Sequence, residues 1–171
     1  IGSDITIQSS KWTDIGTEAN PFRGTFEGGE KAEREYYKIN GLQISSKQDK
    51  RGFFGYLNGA VIKNLTISGT VIGGDYLGNL AAVAENTTFN NCSSNAVLKG
   101  RIAGGLVGYS KGSTFINCEN GDNTFETTGY TGGLAGYAED SDFRDCVNSV
   151  NTVSTYSAIK DRKSTRLNSS H

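Results

Sequence analysis

Gly104-Gly105-Leu106-Val107-Gly108-Tyr109 is the stretch of sequence that decides the fold, together with Ser113-Thr114-Phe115-Ile116-Asn117-Cys118 shortly after it. The same pair of segments recurs at residues 132–137 and 141–146. It also recurs, in more divergent form, at residues 78–83 with 87–92 and at residues 52–56 with 60–65. One aligned column contains Tyr56, Val83, Tyr109 and Tyr137, at spacings of 27, 26 and 28 residues. A period this regular is typical of a stacked repeat protein.

Each repeat contains three short segments with the composition of strands. The first is led by glycine, as in residues 105–109, and the second ends in Phe-x-Asn-Cys, as in residues 114–118. The third is looser and occupies residues 69–72, 95–98, 123–126 and 151–154. No long stretch has the apolar period of a helix, and leucine is too scarce for a leucine-rich repeat. The sequence therefore predicts an all-β chain, a right-handed parallel β-helix (β-solenoid) with three short strands per rung of 26–28 residues.

In such a solenoid, equivalent side chains stack on successive rungs about 4.8 Å apart. Phe115 and Cys118 are three positions apart, so both point inward only if the chain bends between them. We expect that corner at Asn117 and its equivalents, where an Asn or Asp side chain bonds neighbouring backbone. The predicted corner residues are Asn64, Asn91, Asn117 and Asp145. The predicted interior ladders are Phe53, Leu80, Leu106 and Leu134; Ile62, Phe89, Phe115 and Phe143; and Leu65, Cys92, Cys118 and Cys146.

The regular repeats cover only part of the chain. We interpret residues 1–51 as an irregular N-terminal coil of the solenoid, with residues 30–38 as an exposed loop, and residues 52–160 as four rungs. Residues 161–171 read like a sequencing adapter translated in frame, and the repeat pattern stops where another glycine-led strand is due. We therefore interpret them as a non-native, disordered tail; a natural basic, Ser-rich tail is the alternative. The chain as a whole reads as a fragment of a longer protein.

Charge and composition exclude several classes of function. The chain has 17 Lys and Arg against 18 Asp and Glu; without residues 161–171 these become 14 and 17. A mildly acidic chain without a basic stripe is a poor nucleic-acid binder. No apolar run reaches the roughly 18 residues that span a bilayer, so no membrane insertion is expected. The single histidine, His171, lies in the tail, which leaves no histidine for a catalytic triad or a metal site.

The repeats resemble the GLUG motif, through Gly-Gly-Leu-x-Gly-Tyr followed by Asn-Cys, and the likeness covers about residues 4–160. The segments around Trp12 and Phe22 are similar to the lead-in of such domains. The second unit departs from the motif, with Asn79 and Ala82 replacing glycines and Val83 replacing tyrosine. The motif occurs in large bacterial surface and secreted proteins, including non-catalytic parts of some immunoglobulin A-cleaving metallopeptidases. The resemblance implies a β-helical, extracytoplasmic segment with an adhesive or scaffolding role and no catalytic residues.

The candidate chemistry has simple structural explanations. The three cysteines share one column, where parallel side chains do not face each other as a disulfide requires, and three thiols in a line do not form a tetrahedral metal site. We therefore expect buried free thiols. The acidic stretches at residues 139–145 and 119–123 have no calcium-loop spacing and are expected to be solvated surface. No cofactor and no metal are expected.

Two functional hypotheses remain. The first is a non-catalytic stalk or binding scaffold at a bacterial cell surface or in the extracellular space. Its partners are a glycan or a surface protein, and further repeats and domains of the parent protein. The Tyr76, Ile102 and Tyr130 column is either part of its exposed binding face or interior core. The second is a carbohydrate-active β-helix enzyme, because Glu85 and Glu139 share a column two rungs apart, about 10 Å. Lys111 lies between them and reads as a neutralising partner.

Overall fold

The computed structural model describes residues 1–9, 11–149 and 151–153. This part of the chain contains strands, turns and bends but no helix, and hence no helix that could cross a membrane. The twenty strands are β1 (Ile5–Thr6), β2 (Thr25–Glu27), β3 (Glu30–Ala32), β4 (Glu35–Tyr36), β5 (Lys38–Ser45), β6 (Phe54–Asn58), β7 (Val61–Ile72), β8 (Leu77–Gly78), β9 (Ala81–Glu85), β10 (Thr88–Gly100), β11 (Ala103–Gly104), β12 (Val107–Lys111), β13 (Thr114–Ile116), β14 (Glu119–Asn120), β15 (Asn123–Thr127), β16 (Thr131–Gly132), β17 (Ala135–Glu139), β18 (Asp142–Arg144), β19 (Val147–Asn148) and β20 (Asn151–Val153).

Apart from the antiparallel pair β3–β4, the strands form three parallel sheets that wind into a β-solenoid of about four turns, which confirms the predicted all-β solenoid. One wall is the four-stranded sheet β6-β9-β12-β17, and a second is the narrow sheet β8-β11-β16. The third and largest sheet contains β7 and β10 and closes each turn. The register follows the sequence period: Tyr109 pairs with Val83 on one side and Tyr137 on the other.

The rungs differ from three separate strands in two details. The glycine-led segment is divided, because the chain bends at Gly105 and Leu106 between β11 and β12. The second and third segments are continuous in β7 and β10, whose pairing skips only the corner residues Asn64 and Asn91 and resumes in the same register. The turn from β8 to β10 is therefore a short strand, a bend, a five-residue strand, and a long strand folded at one residue. In the two later turns the long strand is divided into three, β13–β15 and β18–β20.

That folding residue is the predicted Asx corner. Asn64, Asn91, Asn117 and Asp145 have φ of 56°, 55°, 50° and 52°, the left-handed region that Asn and Asp tolerate better than other side chains. The Asn64 and Asn91 side chains bond across rungs and not to neighbouring backbone as expected. The Asn91 Nδ2 donates to Asn64 Oδ1 at 2.8 Å, and Asn64 Nδ2 donates to Glu27 Oε1 at 2.8 Å. Stacking at one rung spacing brings the two amides within hydrogen-bond reach, so Asn91, Asn64 and Glu27 form a short polar ladder.

The interior is built from columns of side chains. The structure aligns Ile62, Phe89, Phe115 and Phe143 in register, with Phe89 and Phe115 stacked at a centroid distance of 4.7 Å and an angle of 10°. The Phe115 and Phe143 rings stack at 4.6 Å. The other two columns are also buried, at no more than 5% exposure. They contain Phe53, Leu80, Leu106 and Leu134, and Leu65, Cys92, Cys118 and Cys146.

The N-terminal coil continues the same stack. Strands β2 and β5 pair in parallel with β7, and β1 pairs with β5. Trp12 closes this end by stacking on Phe53 at 4.7 Å and donating from Nε1 to the Phe53 carbonyl oxygen at 3.0 Å. The segment interpreted as a loop at residues 30–38 forms instead the antiparallel hairpin β3–β4. The predicted tail at residues 161–171 lies outside the described residues.

Candidate functional site

Five tyrosines lie on one side of the solenoid, and we call this surface the tyrosine face. Tyr56, Tyr109 and Tyr137 project from the four-stranded sheet, and Tyr76 and Tyr130 come from the chain just before β8 and β16. All five are partly or largely exposed, and Tyr137 is 42% exposed. Tyrosine in such a position combines an apolar ring with a polar tip, which suits it to ligand contact.

The rings of the tyrosine face are ordered by the rung spacing. Tyr109 and Tyr137 stack with centroids 5.7 Å apart and planes 9° apart. Tyr76 meets Tyr109 edge to face at 5.5 Å and 72°, and Tyr130 lies 6.4 Å from Tyr137. The sequence did not decide whether the column of Tyr76, Ile102 and Tyr130 lies at the surface or in the core, and the structure places it in both. Its tyrosines are partly exposed, whereas Ile102 is buried at 3% exposure.

A polar edge runs beside the rings, at the end of the same strands. Asn58, Glu85, Lys111 and Glu139 pair in register on four successive rungs. The Tyr56 hydroxyl donates to Glu85 Oε1 at 2.8 Å, and the Tyr109 hydroxyl donates to Glu139 Oε2 at 2.9 Å. The Lys111 Nζ lies 3.1 Å from Glu139 Oε1. Each of these tyrosines is therefore fixed by a glutamate further along the stack.

These contacts shift the pKa values of the tyrosines and of Glu139 along the polar edge. The hydrogen bonds from Tyr109 and then Lys111 lower the pKa of Glu139, so this carboxylate stays ionised. Desolvation, followed by the hydrogen bond to Glu139, raises the pKa of Tyr109. Desolvation and the bond to Glu85 raise the pKa of Tyr56 to about 12. A carboxylate held in its charged form by two donors is suited to accepting hydrogen bonds and unsuited to donating a proton as a general acid.

We expect alkaline pH to destabilise the chain through these phenols. Their pKa values are raised in the folded state, so the protonated phenol stabilises the fold fully below pH about 10. That contribution is lost as the pH rises towards the folded-state pKa, about 12 for Tyr56. Melting temperature measured from pH 8 to 12 should fall less steeply for the double variant Tyr56→Phe/Tyr109→Phe. Tyr36→Phe, on hairpin β3–β4, is the control and should follow the unmodified chain; equal slopes for all three would contradict the assignment.

The predicted cysteine column is a row of buried free thiols among the described residues. Each sulfur lies near a carbonyl oxygen of the preceding rung: Cys92 Sγ is 3.4 Å from Ile62 O, and Cys146 Sγ is 3.4 Å from Phe115 O. Burial raises the pKa of the Cys118 thiol well above its usual value. The described residues contain no group of three or more His, Cys, Asp or Glu placed to hold a metal ion. The thiols act as small apolar side chains.

Reasoning from the sequence alone missed most of the tyrosine face. The tyrosine column served only to align the repeats. In the structure Tyr109 lies within β12, and its side chain is partly exposed. The sequence did contain a feature that predicts exposure of these tyrosines. A column of tyrosines is followed two positions later by a column of mostly charged residues, and charged side chains lie at the surface. The contribution of Tyr76 from another wall depends on the corner geometry, which no pattern in the chain encodes.

The parallel stack with one side-chain column per repeat position defines the chain as a β-solenoid repeat protein. Comparison with protein families gives one match: residues 127–154 fit the model described as the GLUG motif. Residues 127–154 of the chain are therefore a GLUG motif, in agreement with the resemblance seen in the repeats. No curated protein and no solved structure matches it significantly.

Proposed function

We propose that this chain is a non-catalytic, structural and adhesive segment of a large bacterial cell-surface or secreted protein, and that its tyrosine face binds a glycan or protein ligand. The observation that carries the proposal is the alignment of five surface tyrosines along one side of the stack. Aromatic side chains are enriched at binding surfaces. The hydrogen bonds to Glu85 and Glu139 hold Tyr56 and Tyr109 in place before a ligand arrives, which lowers the entropic cost of binding.

The rival function, a carbohydrate-active enzyme, relies on the same edge. Glu85 and Glu139 do share a column, with Lys111 between them. However, the ammonium of Lys111 and the hydroxyl of Tyr109 already occupy the Glu139 carboxylate. Glycoside hydrolysis requires one of two facing carboxyls to be protonated at the start of the reaction. The contacts of Glu139 support hydrogen bonding to a ligand better than acid catalysis.

The test is binding of the purified chain to an array of glycans and immobilised surface proteins. We expect binding without turnover, and we expect Tyr109→Ala to weaken it by about tenfold, as loss of a central aromatic contact does. Tyr36→Ala is the matched control, because it removes a partly buried tyrosine on the hairpin, away from the tyrosine face. Release of oligosaccharide from a polysaccharide, abolished by Glu85→Gln or Glu139→Gln, would instead establish the enzyme.

A further inference from the structure

Val83 interrupts the tyrosine column and leaves a gap in it. Its register neighbours are Tyr56 on one side and Tyr109 on the other. Adjacent rungs are about 4.8 Å apart, so these two tyrosines are separated by about 9.6 Å along the stack. Rings on adjacent rungs of this chain stack at comparable distances, 4.7 Å for Phe89 and Phe115. The rung spacing therefore leaves room for about one ring between Tyr56 and Tyr109.

The gap is walled on its other sides. A cleft of about 240 Å³ opens at this point and is lined by Lys50, Tyr56, Tyr76, Val83 and Tyr109. Val83, at 3% exposure, forms the floor. Tyr76 stands edge to face with Tyr109 and forms an end wall. We call this cleft the Val83 notch.

The charges around the Val83 notch offset one another. The Lys50 Nζ is 3.1 Å from Glu18 Oε2, and Glu85 accepts hydrogen bonds from Tyr56 and Asn58. The Lys50 ammonium also lies 6.0 Å from the Tyr56 ring centroid, so the lining of the cleft already carries a positive charge. The notch therefore disfavours a quaternary ammonium ligand, and it has no unpaired cation to attract an anion.

We propose that the Val83 notch binds one neutral pyranose ring of a glycan; this inference rests on the proposed function and specifies its ligand. The C–H faces of the sugar pack against the rings of Tyr56 and Tyr109. Its hydroxyl groups lie at a rim where Lys50 donates hydrogen bonds and the Glu85 carboxylate accepts them. A flat apolar slot with a few polar groups at its rim is the usual form of a small-ligand site.

The glycan extends beyond the notch. A second cleft of about 580 Å³ shares Lys50 and Tyr56 with the first and continues towards Trp12 and the Asp14–Arg51 ion pair. Its lining of indole ring, carboxylates, amide and guanidinium offers both stacking and hydrogen bonds to further sugar units. A chain of two or three rings fits this groove better than a monosaccharide, so affinity should rise with the number of rings.

The experiment is isothermal titration of the full 171-residue chain with neutral trisaccharides built from glucose, mannose, galactose or N-acetylglucosamine, and with the matching monosaccharides. We expect a trisaccharide to bind more tightly than its monosaccharide. Val83→Tyr fills the gap with the residue found at the equivalent positions and should weaken binding at least about tenfold. Tyr76→Ala removes one wall of the cleft without placing a new side chain in it, and should also weaken binding. Tyr36→Val, a matched change on hairpin β3–β4 away from the tyrosine face, should leave affinity within about twofold.

The outcomes separate this inference from the proposed function. Trisaccharide binding that survives Val83→Tyr but is lost in Tyr137→Val would overturn the notch and leave glycan binding by the tyrosine face intact. Val83-dependent binding of tetramethylammonium or N-acetyltyrosinamide, with no sugar bound, would overturn the sugar assignment. Binding to surface proteins that depends on Tyr109, without any glycan binding, would overturn the notch alone. Absence of every ligand would overturn both proposals.

Discussion

Phe115→Ala will lower the free energy of unfolding by about 3–5 kcal/mol, the cost of removing a fully buried aromatic ring. Phe115 is the central ring of the stack, with Phe89 on one face at 4.7 Å and Phe143 on the other at 4.6 Å. Its exposure is 0%. Backbone pairing fixes both neighbouring rungs, so they cannot close the cavity that the ring leaves. Urea denaturation followed by circular dichroism measures the loss.

Phe143→Ala is the matched control, because it removes the same ring at the next position of the same column. Phe143 is only partly buried and stacks on Phe115 from one side. We expect it to cost less than half as much as Phe115→Ala. Equal losses at the two positions would contradict the account, because they would mean that stacking on two faces adds nothing to burial.

The columns of the interior could be predicted from the sequence for a physical reason. In an in-register parallel stack, residues one period apart are neighbours in space. Aligning Phe89 with Phe115 in the sequence therefore predicts that the two side chains are in contact. The corner at Asn117 was predictable in the same way, because Phe115 and Cys118 cannot both point inward along a straight strand. The period therefore specifies contacts between rungs.

Contacts between different walls could not be predicted, because they depend on the angles at the corners. Tyr76 reaches Tyr109 from a different wall, and Lys50 reaches Tyr56 from the N-terminal coil. The Val83 notch exists only because these residues meet there. Hairpin β3–β4 was also missed, since the charged segment from Glu30 has no apolar alternation to mark a strand.

Asn79 shows how a departure from the repeat is compensated across the interior. Asn79 stands where the later repeats have Gly105 and Gly133, and it is fully buried. Its Nδ2 donates to Ser94 Oγ at 3.0 Å and to Ile67 O at 3.1 Å. Ser94 aligns with Asn120, which in turn pairs with Asn148. Each of these rungs therefore has one amide side chain in this space. In the second unit Asn79 supplies it, and in the third and fourth units Asn120 and Asn148 supply it from the opposite wall.

Gly133→Asn alone will destabilise the chain by about 1–3 kcal/mol, because the new side chain must enter space already filled. A Cβ on Gly133 would overlap the Asn148 Oδ1 and lie 2.6 Å from its Cγ, and no backbone atom is among these nearest neighbours. Asn148→Ser alone removes the hydrogen bond that Asn120 Nδ2 donates to Asn148 Oδ1 at 2.5 Å, and should cost about 1 kcal/mol. The double variant reproduces the Asn79 and Ser94 pair. It should be more stable than the sum of the single losses by about 1–3 kcal/mol in a double-mutant cycle.

Gly105→Asn with Asn120→Ser is the control, since it makes the same exchange one rung earlier. There a Cβ would overlap the backbone oxygen of Gly133 as well as the Asn120 side chain. Shortening Asn120 does not move that carbonyl, because Gly105 N donates to it at 3.0 Å. The exchange should therefore rescue stability at Gly133 and fail at Gly105. Rescue at both positions would mean that the backbone of the rung shifts freely. Rescue at neither position would mean that the position of the amide does not decide whether Gly105 or Gly133 can be replaced by Asn.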